Sequence, residues 1–278
     1  MIWQNMVDAE RFAEYTKTPD SAWNLVEGKV LNYVLERYYK DRFDWLKRKE
    51  NELIPATITK YDSLIPKDFR VLDIGTGTGN VAHTLVEFGV DPRNIVGLDN
   101  DPNMLKTSNH PDGVNKLHAG VQNFVPKLKE EFPGFGNFDM VTANMVFHLL
   151  NYGDYVKSLK QIKQVMAERS QLYIMLPHPL REDIHTIAAY HDRRTLDEIT
   201  PWCEPVEYKV KTINEYKRGL AQAGLNTWKI RTTGADQGLE DNFLLSDEAV
   251  WSHIRADTNH LTKAKPPHYF RLWLMASR

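Results

Sequence analysis

The chain has 278 residues, 42% hydrophobic and 26% charged, with a formal net charge of −2. That is enough apolar material for one large core and an ordinary globular charge content, so disorder is not the default, and the strongly basic balance of a phosphate-backbone binder is excluded. One cysteine, Cys203, cannot form an internal disulfide, and neither a signal peptide nor an apolar run of about 18 residues is found, so the expectation is a cytoplasmic enzyme with no membrane or nucleic-acid partner.

The first predicted element is a long helix over residues 18–48. Thr18 can cap it and Pro19 fits its first turn, and Trp23, Val26, Val30, Tyr33, Val34 and Tyr38 recur near helical spacing. Tyr15 is expected just ahead of this helix. From residue 70 the pattern changes to short apolar runs separated by helical stretches. Strands are expected at 70–74, 94–99, 116–119, 138–143 and 171–176, and helices at 81–88, 102–108 and 154–166. Strands alternating with helices predict an α/β fold with a mainly parallel sheet covered on both faces. Pro177 and Pro179 end the regular region. Residues 180–210 are mixed, with a helix expected at 182–190. A helix over 212–223 closes at Gly224, and strands follow at 226–232 and 269–276, with a helix at 247–254 between them. The expected organisation is a helical lid segment at 1–60 and a core at 61–278, in which 177–210 is an insertion lining an acceptor pocket.

The chemistry is concentrated in Val71-Leu72-Asp73-Ile74-Gly75-Thr76-Gly77-Thr78-Gly79. Three glycines let the backbone turn tightly and approach a ligand, and the next helix points its first N–H groups toward it. Asp99 ends the next strand, twenty positions after Gly79. A carboxylate there can accept both hydroxyls of a ribose. A pyrophosphate fingerprint would read G-x-G-x-x-G, whereas this loop reads G-x-G-x-G with Asp73 two residues before its first glycine. A carboxylate repels a pyrophosphate and attracts an ammonium, which favours S-adenosylmethionine over a dinucleotide.

Asp73-x-Gly75-x-Gly77-x-Gly79 resembles motif I of the class I S-adenosylmethionine-dependent methyltransferases. Gly97-Leu98-Asp99-Asn100-Asp101-Pro102-Asn103-Met104-Leu105 resembles the family's second signature. Phe138-Asp139-Met140-Val141, with Asn144 and Phe147-His148-Leu149-Leu150, resembles its fourth strand and the segment after it. The resemblance covers roughly residues 68–176, and Ala223-Gly224-Leu225 with the terminal alternating strand fits the closing hairpin. It implies a Rossmann-like, seven-stranded, mainly parallel sheet with the last strand antiparallel and helices on both faces. It also implies that Gly75, Thr76, Gly77 and Gly79 wrap the methionine part of S-adenosylmethionine, with Asp73 helping to hold the ammonium. Asp99 takes the ribose, Asn100 and Met104 pack near the adenine, and Asn144 offers its backbone carbonyl to the ammonium. Two departures stand out. Gln122 lies near where the family often has an aspartate, and Ala167-Glu168-Arg169-Ser170 stands where a Pro-Gly-Gly turn is common.

Ten histidines call for a metal check, but no H-E-x-x-H or C-x-x-C occurs and 185 and 191 point to different helix faces, so no metal site is expected. His148 and His178 are the candidate bases on the acceptor side and Tyr15 a candidate lid residue. Pro266-Pro267-His268-Tyr269 precedes the last strand rather than following the fourth, so it does not mark a nucleobase methyltransferase. The expected reaction is methyl transfer to an O, N or C atom of a small, partly apolar metabolite, releasing S-adenosylhomocysteine, by a monomer or homodimer. A non-methylating enzyme of the same fold, a non-catalytic S-adenosylmethionine sensor and a nicotinamide-dependent oxidoreductase remain as alternatives.

Overall fold

A computed structural model describes residues 9–17, 28, 31–32, 34–35, 65–107, 109–177, 195–200, 203–209, 211–233 and 271–278. In the donor half, strands β1 (Val71–Ile74), β2 (Ile95–Asp99) and β3 (Asn115–His118) alternate with helices α2 (Asn80–Glu87) and α3 (Pro102–Lys106). Helix α4 (Val125–Glu131) then leads to β4 (Phe138–Asn144), and α5 (Tyr152–Val165) to β5 (Met166–Pro177). The chain closes with α6 (Ile213–Gln222), β8 (Asn226–Thr233) and β9 (Arg271–Ser277). The sheet has seven strands in the order β3-β2-β1-β4-β5-β9-β8. Its pairings are parallel up to β5, and β9 runs antiparallel to both of its neighbours. This is the expected α/β sheet, with the order reversing between β1 and β4. Ligands of open α/β sheets bind at such a switch point, beyond the carboxyl ends of the strands.

Side chains on one face of the sheet (Leu72, Ile74, Val141, Ala143, Leu172, Ile174) pack with α4, α5 and α6. Those on the other (Val71, Met140, Tyr173, Met175) pack with Val81, Ala82 and Leu85 of α2. The alternation follows from the two-residue repeat of a strand, and burial on both faces explains why these strands read as near-continuous apolar runs. Leu31, Val34 and Leu35 are helical and buried in the second cluster, so these three positions of the segment 1–60 are core residues.

Three elements differ from expectation. Tyr15 lies inside helix α1 (Ala9–Lys17), not ahead of the first helix. Ala9 and Ala13 are buried there, while Glu14 and Lys17 pair one turn apart on its exposed side, a pattern overshadowed by the Thr18-Pro19 start signal. Residues 167–170, expected as a turn, lie within β5. They form an irregularity between the Phe138↔Met166 and Met140↔Gln171 pairs, where Ser170 Oγ donates to the Ala167 carbonyl at 2.7 Å. Part of 180–210 is a two-stranded ribbon, β6 (Thr195–Thr200) antiparallel to β7 (Cys203–Lys209). The helices expected at 182–190 and 247–254 lie outside the described residues.

Candidate functional site

The chain leaves β1 at Ile74 and turns through Gly75 (φ 65°), Gly77 (φ 53°) and Gly79 (φ 96°), the left-handed region that side chains disfavour. Two of these glycines are also required by space. A Cβ on Gly75 would sit 2.2 Å from Cγ2 of Val146, and one on Gly79 would sit 2.7 Å from Nδ1 of His110. The Thr76 N–H donates to the Leu98 carbonyl at 3.0 Å, tying the loop to β2. Helix α2 follows with Gly79 as its cap and no side chain capping its first turn, so those N–H groups are left toward the loop.

Parallel pairing brings the carboxylates to this loop. Asp73 is fully buried and lies in register with Thr142 on β4 and Gly97 on β2. The Thr142 hydroxyl donates to Asp73 Oδ1 at 2.6 Å, while Oδ2 has no hydrogen-bond partner. Burial pushes this carboxyl up to about 7, against the opposing pull of the Thr142 and Thr76 hydroxyls. Asp99, partly buried at the end of β2, accepts from the Gly77 N–H and the Asp101 N–H, each at 2.9 Å. Its carboxyl is also raised by burial, with the backbone bonds from Asp101, Gly77 and Asn100 resisting.

On the other side of the switch point, Asn144 ends β4 with its side-chain Oδ1 buried and unpartnered. Met145 follows at φ 55°, and its N–H donates to the Met175 carbonyl at 2.8 Å. A left-handed methionine is costly, and this one swings Val146 against Gly75. Phe147 then enters the core and His148 is buried in the 3-10 turn Phe147–Leu149. Lys211 Nζ is buried beneath this turn, donating to the His148 carbonyl at 3.1 Å and to the Leu150 carbonyl. Burial lowers its ammonium to about 8, and Glu215 pulls the other way. The ribbon strand β7 packs beside the same turn.

The structure therefore gathers Asp73, Gly75, Thr76, Gly77, Gly79, Asp99 and Asn144 around one switch point. Asn100 follows β2 directly, its carbonyl 3.1 Å from His118 Nε2, and Met104 is buried on α3. Gln122 is partly buried in the turn after β3, where its neighbour Val121 enters the core. His178 and the Tyr15 side chain lie outside the described residues. Thr142, His110 and Lys211 were not legible in the sequence, because each acts on a residue more than thirty positions away. The nearest signal was a polar threonine inside the apolar run of β4. Among the described residues, no group of three His, Cys, Asp or Glu side chains is placed to hold a metal ion, and no helix is long and apolar enough to cross a membrane.

S-adenosylmethionine fits these groups. Two buried, unpartnered oxygens, Asp73 Oδ2 and Asn144 Oδ1, flank a loop with no side chain at three positions. Such acceptors suit an ammonium and would repel a phosphate.

Comparison with known proteins agrees. A family model described as a methyltransferase domain matches residues 65–224, more than half of the chain. Human EEF1A lysine methyltransferase 2 is 33% identical over 110 residues, 36% of this chain and 45% of that protein. Demethylmenaquinone methyltransferase from Thermus thermophilus is 32% identical over 106 residues, 38% of this chain and 46% of that protein. The chain thus spans less than half the length of the curated relatives it matches. The crystal structure of an S-adenosylmethionine-dependent methyltransferase from Clostridium acetobutylicum shares the fold, with a TM-score of 0.51 at 10% identity, covering 96% of this chain and 98% of that one. Glycine loop, paired strand-end acids, sheet order and family match converge: the chain belongs to the class I S-adenosylmethionine-dependent methyltransferases.

Proposed function

We propose that this protein transfers the methyl group of S-adenosylmethionine to a small, partly apolar metabolite. The observation that carries the cofactor half of this reading is the buried pair of unpartnered acceptors, Asp73 Oδ2 and Asn144 Oδ1, beside a left-handed glycine loop. An unsatisfied buried acceptor costs about 1–3 kcal/mol, a cost that a cationic donor placed there removes. Asp99, held at the end of β2 by backbone N–H groups, would take the ribose hydroxyls.

When bound, the cofactor supplies an electrophilic methyl on a sulfonium. The chain's own task is to align an acceptor atom with the carbon–sulfur bond and to exclude water, and positioning alone supplies much of such a rate. The turn 145–148 faces that task, braced from below by Lys211 and flanked by β7. The apolar side chains of Met145 and Val146 at its start support an apolar acceptor. The segments 1–60 and 177–210 would complete the pocket and its closure. An acceptor that must lose a proton would use His148 or His178 as base.

Two experiments test this reading. Calorimetric titration should show micromolar S-adenosylmethionine binding and no nicotinamide dinucleotide binding, with Asp99→Ala about ten- to a hundredfold weaker. Dinucleotide binding without response to the methyl donor would overturn the reading. Methyl-labelled donor is then incubated with a small-metabolite extract and, separately, with a protein extract. Label in the small molecules supports the acceptor class, label in protein replaces it with a protein side chain, and label in neither points to a sensor.

A further inference from the structure

His110 belongs to no recognised motif, yet it touches the glycine loop at its centre. It is buried between β3 and the end of α3. Its Nε2 lies 3.0 Å from the Gly77 carbonyl and 3.3 Å from the Met104 carbonyl. Both are acceptors, so Nε2 carries the proton and donates to each. Nδ1 is buried without a partner, as an acceptor nitrogen facing Gly79. The backbone beside it is tied as well, because His83 Nε2 on α2 bonds the Asn109 carbonyl. Gly79 has no room for a side chain: a Cβ there would meet His110 Nδ1 at 2.7 Å and its Cα at 3.0 Å. Burial, reinforced by Lys116 and His83, holds this imidazole below its ordinary range, so the neutral ring is the resting form.

Gly77 is thereby held on both sides. Its N–H is taken by Asp99 Oδ2 at 2.9 Å and its carbonyl by His110 Nε2. Two fixed peptide planes around one residue determine its φ and ψ, here the left-handed φ of 53°. We propose that His110 is a positioning residue that, opposite Asp99, locks Gly77 and through its N–H the Asp99 carboxylate that would take the ribose, and so sets how the nucleoside part of the methyl donor is received. The proposal rests on the cofactor reading above. His110 reaches the cofactor only through Gly77, and its loss should weaken any ligand with the same nucleoside, with or without the amino-acid ammonium.

The test uses S-adenosylhomocysteine and 5′-methylthioadenosine, which lacks the ammonium, as calorimetric probes on the full chain. His110→Leu is expected to weaken both by about tenfold, and His110→Gln, which keeps a donor at similar reach, to bind both within about threefold of the wild type. Asp73→Asn should weaken S-adenosylhomocysteine selectively, which separates the two ends of the ligand. Nitrogen-15 NMR of the unaltered protein should show His110 as the Nε2–H tautomer, a readout that survives if the leucine variant fails to fold. The proposal is overturned by an Nδ1–H tautomer, by a folded His110→Leu that binds both probes like the wild type, or by a folded His110→Gln no better than leucine. A wild type that binds neither probe defeats the cofactor reading itself, a result distinct from these three.

Discussion

The loop between β1 and α2 and the pair α5–α6 are both well packed, yet they treat polar groups in opposite ways. Around the loop, Asp73 Oδ2, Thr78 Oγ1 and Asn144 Oδ1 are buried without partners, and three glycines and Met145 sit at positive φ. In the α5–α6 pair, Tyr155 donates to the Tyr216 carbonyl at 3.0 Å and Ser158 to the Asp154 carbonyl at 2.7 Å. Thr212 and Glu215 form a reciprocal capping box, Lys163 closes on the Gly224 carbonyl, and none of the described buried side-chain oxygens or nitrogens there lacks a partner. A region that only supports the fold satisfies its polar groups internally. A region that carries strain and open acceptors holds them for a ligand.

Asp73 gives the sharpest contrast. Its folded value of about 7 lies above its ordinary 3.8, so the protonated form is favoured by folding. Without ligand, its contribution is fully present below about pH 4 and is lost as pH rises to about 7, then stays constant. The loss is on the order of 4 kcal/mol relative to Asp73→Asn, measured as unfolding free energy against pH. A bound ammonium should reverse this by favouring the carboxylate, so S-adenosylmethionine binding near pH 6 should release a proton, visible as buffer-dependent binding heat. A heat independent of the buffer would remove Asp73 from the ammonium site.

Gly75→Ala should cost about 3 kcal/mol in cofactor affinity, because it combines left-handed strain with displacement of Val146. Adding Val146→Ala should relieve the contact but not the strain, giving partial recovery in the same titration. Gly219→Ala is the counterpart in the supporting region. Its Cβ would meet Tyr155 Cε1 at 2.4 Å, so stability should fall by about 2 kcal/mol in denaturant melts while cofactor affinity in the folded fraction is unchanged. An affinity loss in that variant would show that the two regions are coupled. The smallest effect is Thr212→Ala, about 1 kcal/mol of stability from the lost cap, read from the same melts.

Local chemistry was legible without the fold. The glycine spacing, Asp73 before it and Asp99 at the end of β2 are short-range features, and each strand and helix between 70 and 166 that was expected is present within a few residues. Helix α4 escaped notice because its apolar positions are few: it is seven residues long and buries only Val125 and Leu128. The departure at 167–170 has a tertiary origin: β4 pairs with β5 on either side of that stretch, at Phe138↔Met166 and from Met140↔Gln171 onward.

What the sequence determined by itself was therefore the donor loop, since a tight turn, a strand-end acid and a helix start are set by neighbours along the chain. Only the tertiary structure decided that Thr142 would bond Asp73, that His110 would clasp Gly77 and that Lys211 would brace the turn at His148. These contacts join residues 69, 33 and 63 positions apart. No local propensity encodes such distances. They arise from parallel strand register and helix packing, which bring remote side chains to one end of the sheet.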